Sequence, residues 1–289
     1  MQQFSCVQPA KKEKQMKRIL TAVVLIPLFV ILIFWGPLWL LMLVAWAIAE
    51  LAIYEYLVLA EASTLRSPRW LLLGGCAAVF AVAYWLPLFL LPTFGILALL
   101  FLGICSLLSP LDRILRDAAG GFFGLIYIAF PMVLAPLITT QENGTAQLLF
   151  LLVVVWAGDV VALYVGRSVG RHRMAPILSP KKTWEGAVGS MAGSVAAGLG
   201  LVALGSHLYR DGSALLLYVQ PWWYWVGLAV LLNVVAQIGD LLESAIKRGA
   251  GRKDSGSLLP GHGGVLDRID ALLLALPVLW YVLILRQVY

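Results

Sequence analysis

The run Gly239-Asp-Leu-Leu-Glu-Ser-Ala-Ile-Lys-Arg-Gly-Ala-Gly-Arg-Lys-Asp-Ser-Gly-Ser-Leu-Leu-Pro-Gly-His-Gly-Gly-Val-Leu-Asp-Arg-Ile-Asp270 is a polar block set between two apolar runs. Neither Trp222–Ile238 before it nor Ala271–Leu285 after it contains a charged residue. Two such runs, near the ~20-residue length of a bilayer crossing, read as membrane helices joined by a hydrophilic loop. The pattern recurs along the chain. Of its 289 residues 61% are hydrophobic and 12% charged, where an average protein carries about 25% charged residues. That composition excludes a soluble globular domain, and the alternating pattern of a membrane β-barrel is absent. The expected fold class is therefore an all-α polytopic membrane protein.

Parity gives the number of spans. Basic clusters occur at Lys11–Arg18, Arg66/Arg69, Arg113/Arg116, Arg167–Lys182 and Lys247–Arg268. If all face the cytoplasm, as positively charged loops do, each gap between them holds an even number of helices. The gaps break at Gly36-Pro37, at Pro87–Pro92, at Thr139–Gly144 and at Ser206–Gln220, and a last span follows from about Ile269 to Leu285. Nine helices result, with the N-terminus cytoplasmic. Only Arg210 and Arg286 of the 21 Lys and Arg then fall outside. The organisation reads as a basic segment 1–18, N-terminal helices over 19–145, and a C-terminal region 146–289 with cytoplasmic loops 167–185 and 247–268. A cleaved signal peptide is not expected, because the first apolar run lacks a small-residue cleavage site and leads into a second span; Met16 is an alternative start. Cys6, Cys76 and Cys105 have no metal-ligand spacing and form no disulfide framework. The net charge of +6 lies in the short loops, which suits anionic lipid surfaces rather than nucleic acid.

Carboxylates inside apolar runs stand out, since one at mid-bilayer costs roughly 2.5–3.5 kcal/mol on insertion scales. Asp159 lies eight residues before Arg167 and Asp240 seven before Lys247, so both sit about 12 Å or less from the same membrane face at 1.5 Å per residue. Matching depth suggests one polar cavity open to the cytoplasm. Glu50 and Glu55 project about 140° apart on a helix, so they do not share a site and are expected to pair structurally near the cytoplasmic end. Asp240, Glu243, Ser244 and Lys247 share one helical face, as do Asp267 and Asp270. Two carboxylate-bearing helix ends joined by a loop suit an oxygen-ligated divalent cation. A zinc site is excluded by the scattered His172, His207 and His262. The loop between the helices holds six glycines with Arg248, Arg252, Lys253 and His262. Its backbone N–H groups can converge on an anion while the cations neutralise phosphate. No Walker or GxGxxG pattern accompanies it. In the other long loop, Ser179-Pro180 reads as an N-cap and first-turn pair, which puts Lys181, Lys182 and Thr183 at an anion-binding helix N-terminus.

The run Ser244 to Asp270 resembles the signature of the phosphatidate cytidylyltransferases, or CDP-diacylglycerol synthases. Ser179-Pro-Lys-Lys-Thr-Trp-Glu-Gly186 and the segment from Asp159 to Tyr164-Val-Gly166 resemble the family's other blocks. The resemblance implies transfer of a cytidylyl group from CTP to phosphatidate, with Mg²⁺, in phospholipid biosynthesis at the inner membrane, by a homodimer. It implies that Asp240 and Asp267 bind metal, with Asp270 and Glu243 as further candidates and a second cation such as K⁺ left open. Lys247, Arg248 and His262 are then expected at the reaction centre, His262 with Gly263 and Gly264 holding the pyrophosphate. Ser179, Lys181, Lys182, Thr183, Ser244, Arg252, Lys253, Arg268 and Asp159 complete the expected CTP and lipid contacts. A phosphate monoester nucleophile, with a second pKa of about 6, needs no general base, which suits a chain without a Ser-His or His-Asp pair. Rival readings are a membrane enzyme acting on a lipid alcohol, which would need a base, and an ion-coupled transporter, which would carry inverted repeats.

Overall fold

The computed structural model describes residues 27–256 and 263–288. The predicted basic segment 1–18, the start of the first predicted span and His262 lie outside the described residues. Helix α1 (27–35) ends at Gly36-Pro37, and α2 (Leu38–Ala62), α3 (Arg69–Trp85), a 3-10 turn (Pro87–Phe89) and α4 (Leu90–Leu108) follow. Then come α5 (Ile114–Gly124), a π-helical turn (Leu125–Ala129), α6 (Phe130–Thr139) and α7 (Gly144–Ser168). A short hairpin, β1 (Arg173–Ala175) and β2 (Ser179–Thr183), precedes α8 (Trp184–Arg210), α9 (Trp222–Gly249) and α10 (Leu266–Val288). Among the described residues seven helices are long and apolar enough to cross a membrane, and α3, at 17 residues, is shorter. The architecture is thus all-α and polytopic, and its breaks fall where the sequence places them. In hydrocarbon a backbone must satisfy its own hydrogen bonds, and a helix does so within one segment.

The span Ile114–Thr139 is the most buried of the seven. Pro131 would interrupt its hydrogen-bond ladder; just before it, the π turn lets the Phe130 N–H reach Leu125 O, five residues back, and the helix continues. Leu125, Tyr127, Ile128, Ala129 and Val133 on this segment belong to the core, with Ala49, Ile53 and Leu72 from α2 and α3. Side chains such as Trp35, Leu88, Leu99, Leu107 and Val188 point outward, as helices facing lipid require.

Two glycines mark close helix approach. A Cβ on Gly158 of α7 would fall 2.5 Å from Ser194 Oγ and 2.6 Å from Asn233 Nδ2, and one on Gly239 of α9 would fall 2.7 Å from Asp270 O. Small residues at such points let backbones of membrane helices come together. These contacts bind α7, α8, α9 and α10 into the half of the molecule that carries the candidate site.

Candidate functional site

Asp159 on α7, Lys181, Lys182 and Thr183 on β2, and Asp240 on α9 line one cavity of about 280 Å³. Lys182 Nζ lies 2.6 Å from Asp240 Oδ2, and Asp159 is within electrostatic range of both. The expectation that Asp159 and Asp240 share one cavity is met. Ser190 of α8 and Gln237 of α9 extend its wall toward the membrane interior. Behind them runs a buried network: Asn233 Nδ2 donates to Ser190 Oγ and Ser194 Oγ, each at 2.8 Å. Gln237 Nε2 donates to Asn233 Oδ1 at 2.6 Å, and Ser194 Oγ to Val154 O at 2.7 Å. Satisfied in this way, polar side chains are tolerable deep in an apolar bundle.

The hairpin differs from its sequence reading. Ser179 and Pro180 are not the N-cap and first turn of a helix; they lie in β2, paired antiparallel to β1 with Ala175 opposite Ser179 and Arg173 opposite Thr183. A proline that cannot donate fits a two-stranded ribbon, where every strand is an edge. Thr183 is the true N-cap, extended at φ −125° and ψ 153°, its Oγ1 accepting from Gly186 N at 3.1 Å. Lys181 and Lys182 thus approach the start of α8 from an extended strand rather than from within its first turn. Arg173 Nη1 donates to Pro180 O at 2.5 Å, and the Trp184 N–H to His172 O at 2.9 Å. A second cavity, of about 500 Å³, adjoins the first and shares Lys181 and Thr183 with it. Its further lining includes Arg167, Arg171 and Arg173, so a basic basin lies beside the carboxylates.

A separate charged cluster holds the other end of the signature. Lys247 Nζ donates to Asp267 Oδ1 at 2.6 Å, and the same ammonium meets Glu243, which is fully buried one turn earlier on α9. Asp267 Oδ2 accepts from Ser255 N at 3.1 Å and Gly264 N at 2.9 Å. The turn at Gly263 needs φ +83°, which glycine supplies without strain. Arg248 spans two loops, donating from Nε to Leu178 O at 3.2 Å and from Nη1 to Arg252 O at 3.0 Å. Ser244 is buried on α9, whereas Arg252 and Lys253 in the loop and Arg268 on α10 are exposed. Asp270 lies within electrostatic range of Asp240, Asp159 and Lys247, and so relates the two clusters to each other.

Three of the four expected metal ligands are therefore divided between two lysines, Asp240 with Lys182, and Asp267 and Glu243 with Lys247; the fourth, Asp270, instead accepts from Ala271 N at 2.8 Å. Among the described residues no three His, Cys, Asp or Glu side chains gather as a metal group. Mg²⁺ asks for less, being held by one or two carboxylates with phosphate and water completing its shell. An ammonium on each of the first three carboxylates marks a position that favours positive charge, and the oxygen-only donors suit a hard cation. In donor chemistry the residues fit such an ion.

Several contributors escaped the sequence reading. Asn233, Gln237, Asp240 and Ser244 recur at spacings of four, three and four along one face of α9, a stripe that could have been read beyond Asp240. Asp117, fully buried, lies beside Arg116 at the edge of an apolar run and so does not stand out by composition; it accepts from Arg66 N at 3.0 Å and Ser109 Oγ at 2.8 Å. Glu50 accepts from Trp46 Nε1 at 2.9 Å, a local pairing as expected. Glu55 is paired too, but with the signature loop 200 residues away.

Comparison with known proteins gives the family. The sequence model of the Cytidylyltransferase family matches residues 16–285. The chain is 46% identical over 158 residues to a phosphatidate cytidylyltransferase of Brucella abortus biovar 1 (strain 9-941), an alignment covering 54% of each protein. It is 31% identical over 273 residues to a phosphatidate cytidylyltransferase of Staphylococcus epidermidis (strain ATCC 35984), covering 92% of this chain and 98% of the relative. A phosphatidate cytidylyltransferase of Staphylococcus saprophyticus is 37% identical over 168 residues, 58% of this chain and 60% of that one. The chain thus spans about half the length of the Brucella relative and nearly all of the S. epidermidis one. With the match to the family model running through both clusters and the hairpin, this chain belongs to the cytidylyltransferase family.

Proposed function

We propose that the chain transfers the cytidylyl group of CTP to phosphatidate, giving CDP-diacylglycerol and pyrophosphate, at the cytoplasmic face of a bacterial inner membrane. The observation that carries this reading is the pair of adjoining cavities, one lined by Asp159, Lys182 and Asp240 and the other by Arg167, Arg171 and Arg173. In the reaction a phosphate oxygen of phosphatidate attacks the α-phosphorus of CTP. The bond from that phosphorus to the oxygen bridging the α- and β-phosphates breaks, and its electron pair leaves with pyrophosphate. No proton needs removing, because the nucleophile is ionised near neutral pH, its second pKa being about 6. The barrier is repulsion between anions, so cationic groups do the catalytic work.

Lys181, Lys182, Arg167 and Arg173 surround the space for the triphosphate and the lipid phosphate, and Thr183 caps the helix dipole aimed at it. Asp240 and Asp267 would hold Mg²⁺, with Asp270 and Glu243 as carboxylates for a second cation such as K⁺. A bound Mg²⁺ supplies Lewis-acid neutralisation of phosphate charge. Lys247, Arg248, Arg252, Lys253, His262 and Arg268 belong to the same proposal as groups for the phosphates and the departing pyrophosphate. Assembly as a homodimer is part of it too, supported by the family resemblance alone.

Acceptor choice tests the reading. Purified protein given CTP and Mg²⁺ should turn over with phosphatidate and not with a polyprenol. Turnover with the polyprenol alone would replace this reading with that of a lipid-alcohol enzyme.

A further inference from the structure

Glu55 belongs to α2, in the N-terminal half, yet its carboxylate lies against the loop that joins α9 to α10. It is 2% exposed. Its Oε2 accepts from Ser255 Oγ and from Leu266 N, both at 2.9 Å. Asp267 engages the same two loop ends, through Ser255 N and Gly264 N. Ser255 therefore gives its hydroxyl to one carboxylate and its N–H to the other, while residues 264 and 266 divide in the same way. The backbone passes directly over Glu55: a Cβ on Gly256 or on Gly264 would fall 2.3 Å from one of its oxygens. That clearance explains why glycine stands at both places.

We propose that Glu55 is a positioning residue for the transfer reaction, tying the two ends of the signature loop together and thereby fixing the orientation of Asp267. The inference rests on the function proposed above, in which Asp267 serves the reaction. Hydrogen bonds to a buried carboxylate are charge-assisted and strong for their kind. Without them the loop ends regain the freedom that closure removed, and Asp267 loses the fixed donors that aim it. The arrangement also gives the N-terminal helices a part in chemistry whose other named residues all come from Asp159 onward.

Glu55→Leu and Glu55→Gln separate this role from simple packing. Leucine accepts nothing, whereas the glutamine carbonyl can accept both hydrogen bonds. Misplacement of catalytic groups by about 1 Å costs about 10²-fold in rate, so Glu55→Leu should lose on that order in kcat with KM for CTP little changed. Glu55→Gln should recover most of it. In parallel, amide exchange in a peptide covering 263–268 should rise about tenfold in Glu55→Leu through local opening, remain low in Glu55→Gln, and stay unchanged in α9 for both. Equal loss of activity in the two variants, or no rise in exchange in Glu55→Leu, overturns the inference. The exchange comparison needs no substrate. Inactive wild-type protein would therefore overturn the transfer reading, and the catalytic part of this inference with it, while exchange still decided whether Glu55 clamps the loop.

Discussion

Asp240 and Asp267 each sit against a lysine, and this pairing governs what their substitution should do. Asparagine keeps the shape and removes the charge. Asp240→Asn and Asp267→Asn should each lower kcat by at least about 10²-fold, the scale for removing one electrostatic group from a preorganised site, with membrane insertion intact. Near-normal turnover at saturating Mg²⁺ in either would remove that residue from the proposed cation site. Lys182→Gln should act differently, raising KM for CTP about tenfold, on the scale of one charge-assisted contact, and steady-state kinetics over a CTP series would show it. At this scale the sequence was most informative where a charge broke an apolar run, as at Asp159 and Asp240. It said less about Asn233 and Gln237, whose uncharged amides do not stand out by composition although they brace the same cavity. It was misleading at Ser179-Pro180, where a helix-start pattern sits in a strand because Thr183, four residues after Ser179, has the better cap: an extended backbone and a hydroxyl that meets Gly186 N.

Helices α7, α8 and α9 approach closely because glycine and serine stand at their crossings. Gly158→Ala would press a methyl group against Ser194, Ser190 and Asn233, so it should destabilise by about 1–3 kcal/mol as an overpacked contact. Gly95→Ala on α4 meets nothing within 4 Å and should be neutral or stabilising by about 0.5–1 kcal/mol through helix propensity. Thermal unfolding of the detergent-solubilised variants should rank them in that order; the reverse order would mean that the α7 crossing is not tight. Element boundaries were legible from the Gly36-Pro37 pair and from the hydrophilic turn 139–144, both of which coincide with helix ends, whereas Pro136 and Pro277 stand inside helices. The π turn before Pro131 was not, because the local sequence Leu125-Ile-Tyr-Ile-Ala129 is as apolar as any uninterrupted helix.

At the scale of the whole molecule, Glu55 of the N-terminal half is tied to the signature loop and the start of α10 by hydrogen bonds that span 200 and 211 residues. Such long-range pairing leaves no trace in spacing or periodicity, which explains why Glu55 reads from sequence only as a local structural residue. Orientation is testable at this scale. In a Cys6→Ser background, where Cys76 and Cys105 are buried, Lys253→Cys should resist a membrane-impermeant maleimide on intact cells and react after permeabilisation. Gly212→Cys, on the turn between α8 and α9, should show the opposite pattern. Labelling of Lys253→Cys from outside would invert the proposed topology.

The most direct measurement follows two labels of CTP with purified protein, phosphatidate and Mg²⁺. The account predicts that an α-phosphate label enters the lipid, that a γ-phosphate label appears in pyrophosphate in equal amount, and that EDTA stops both. A γ-label recovered in the lipid would identify a phosphoryl transfer instead, and would contradict the cytidylyl transfer on which the account rests.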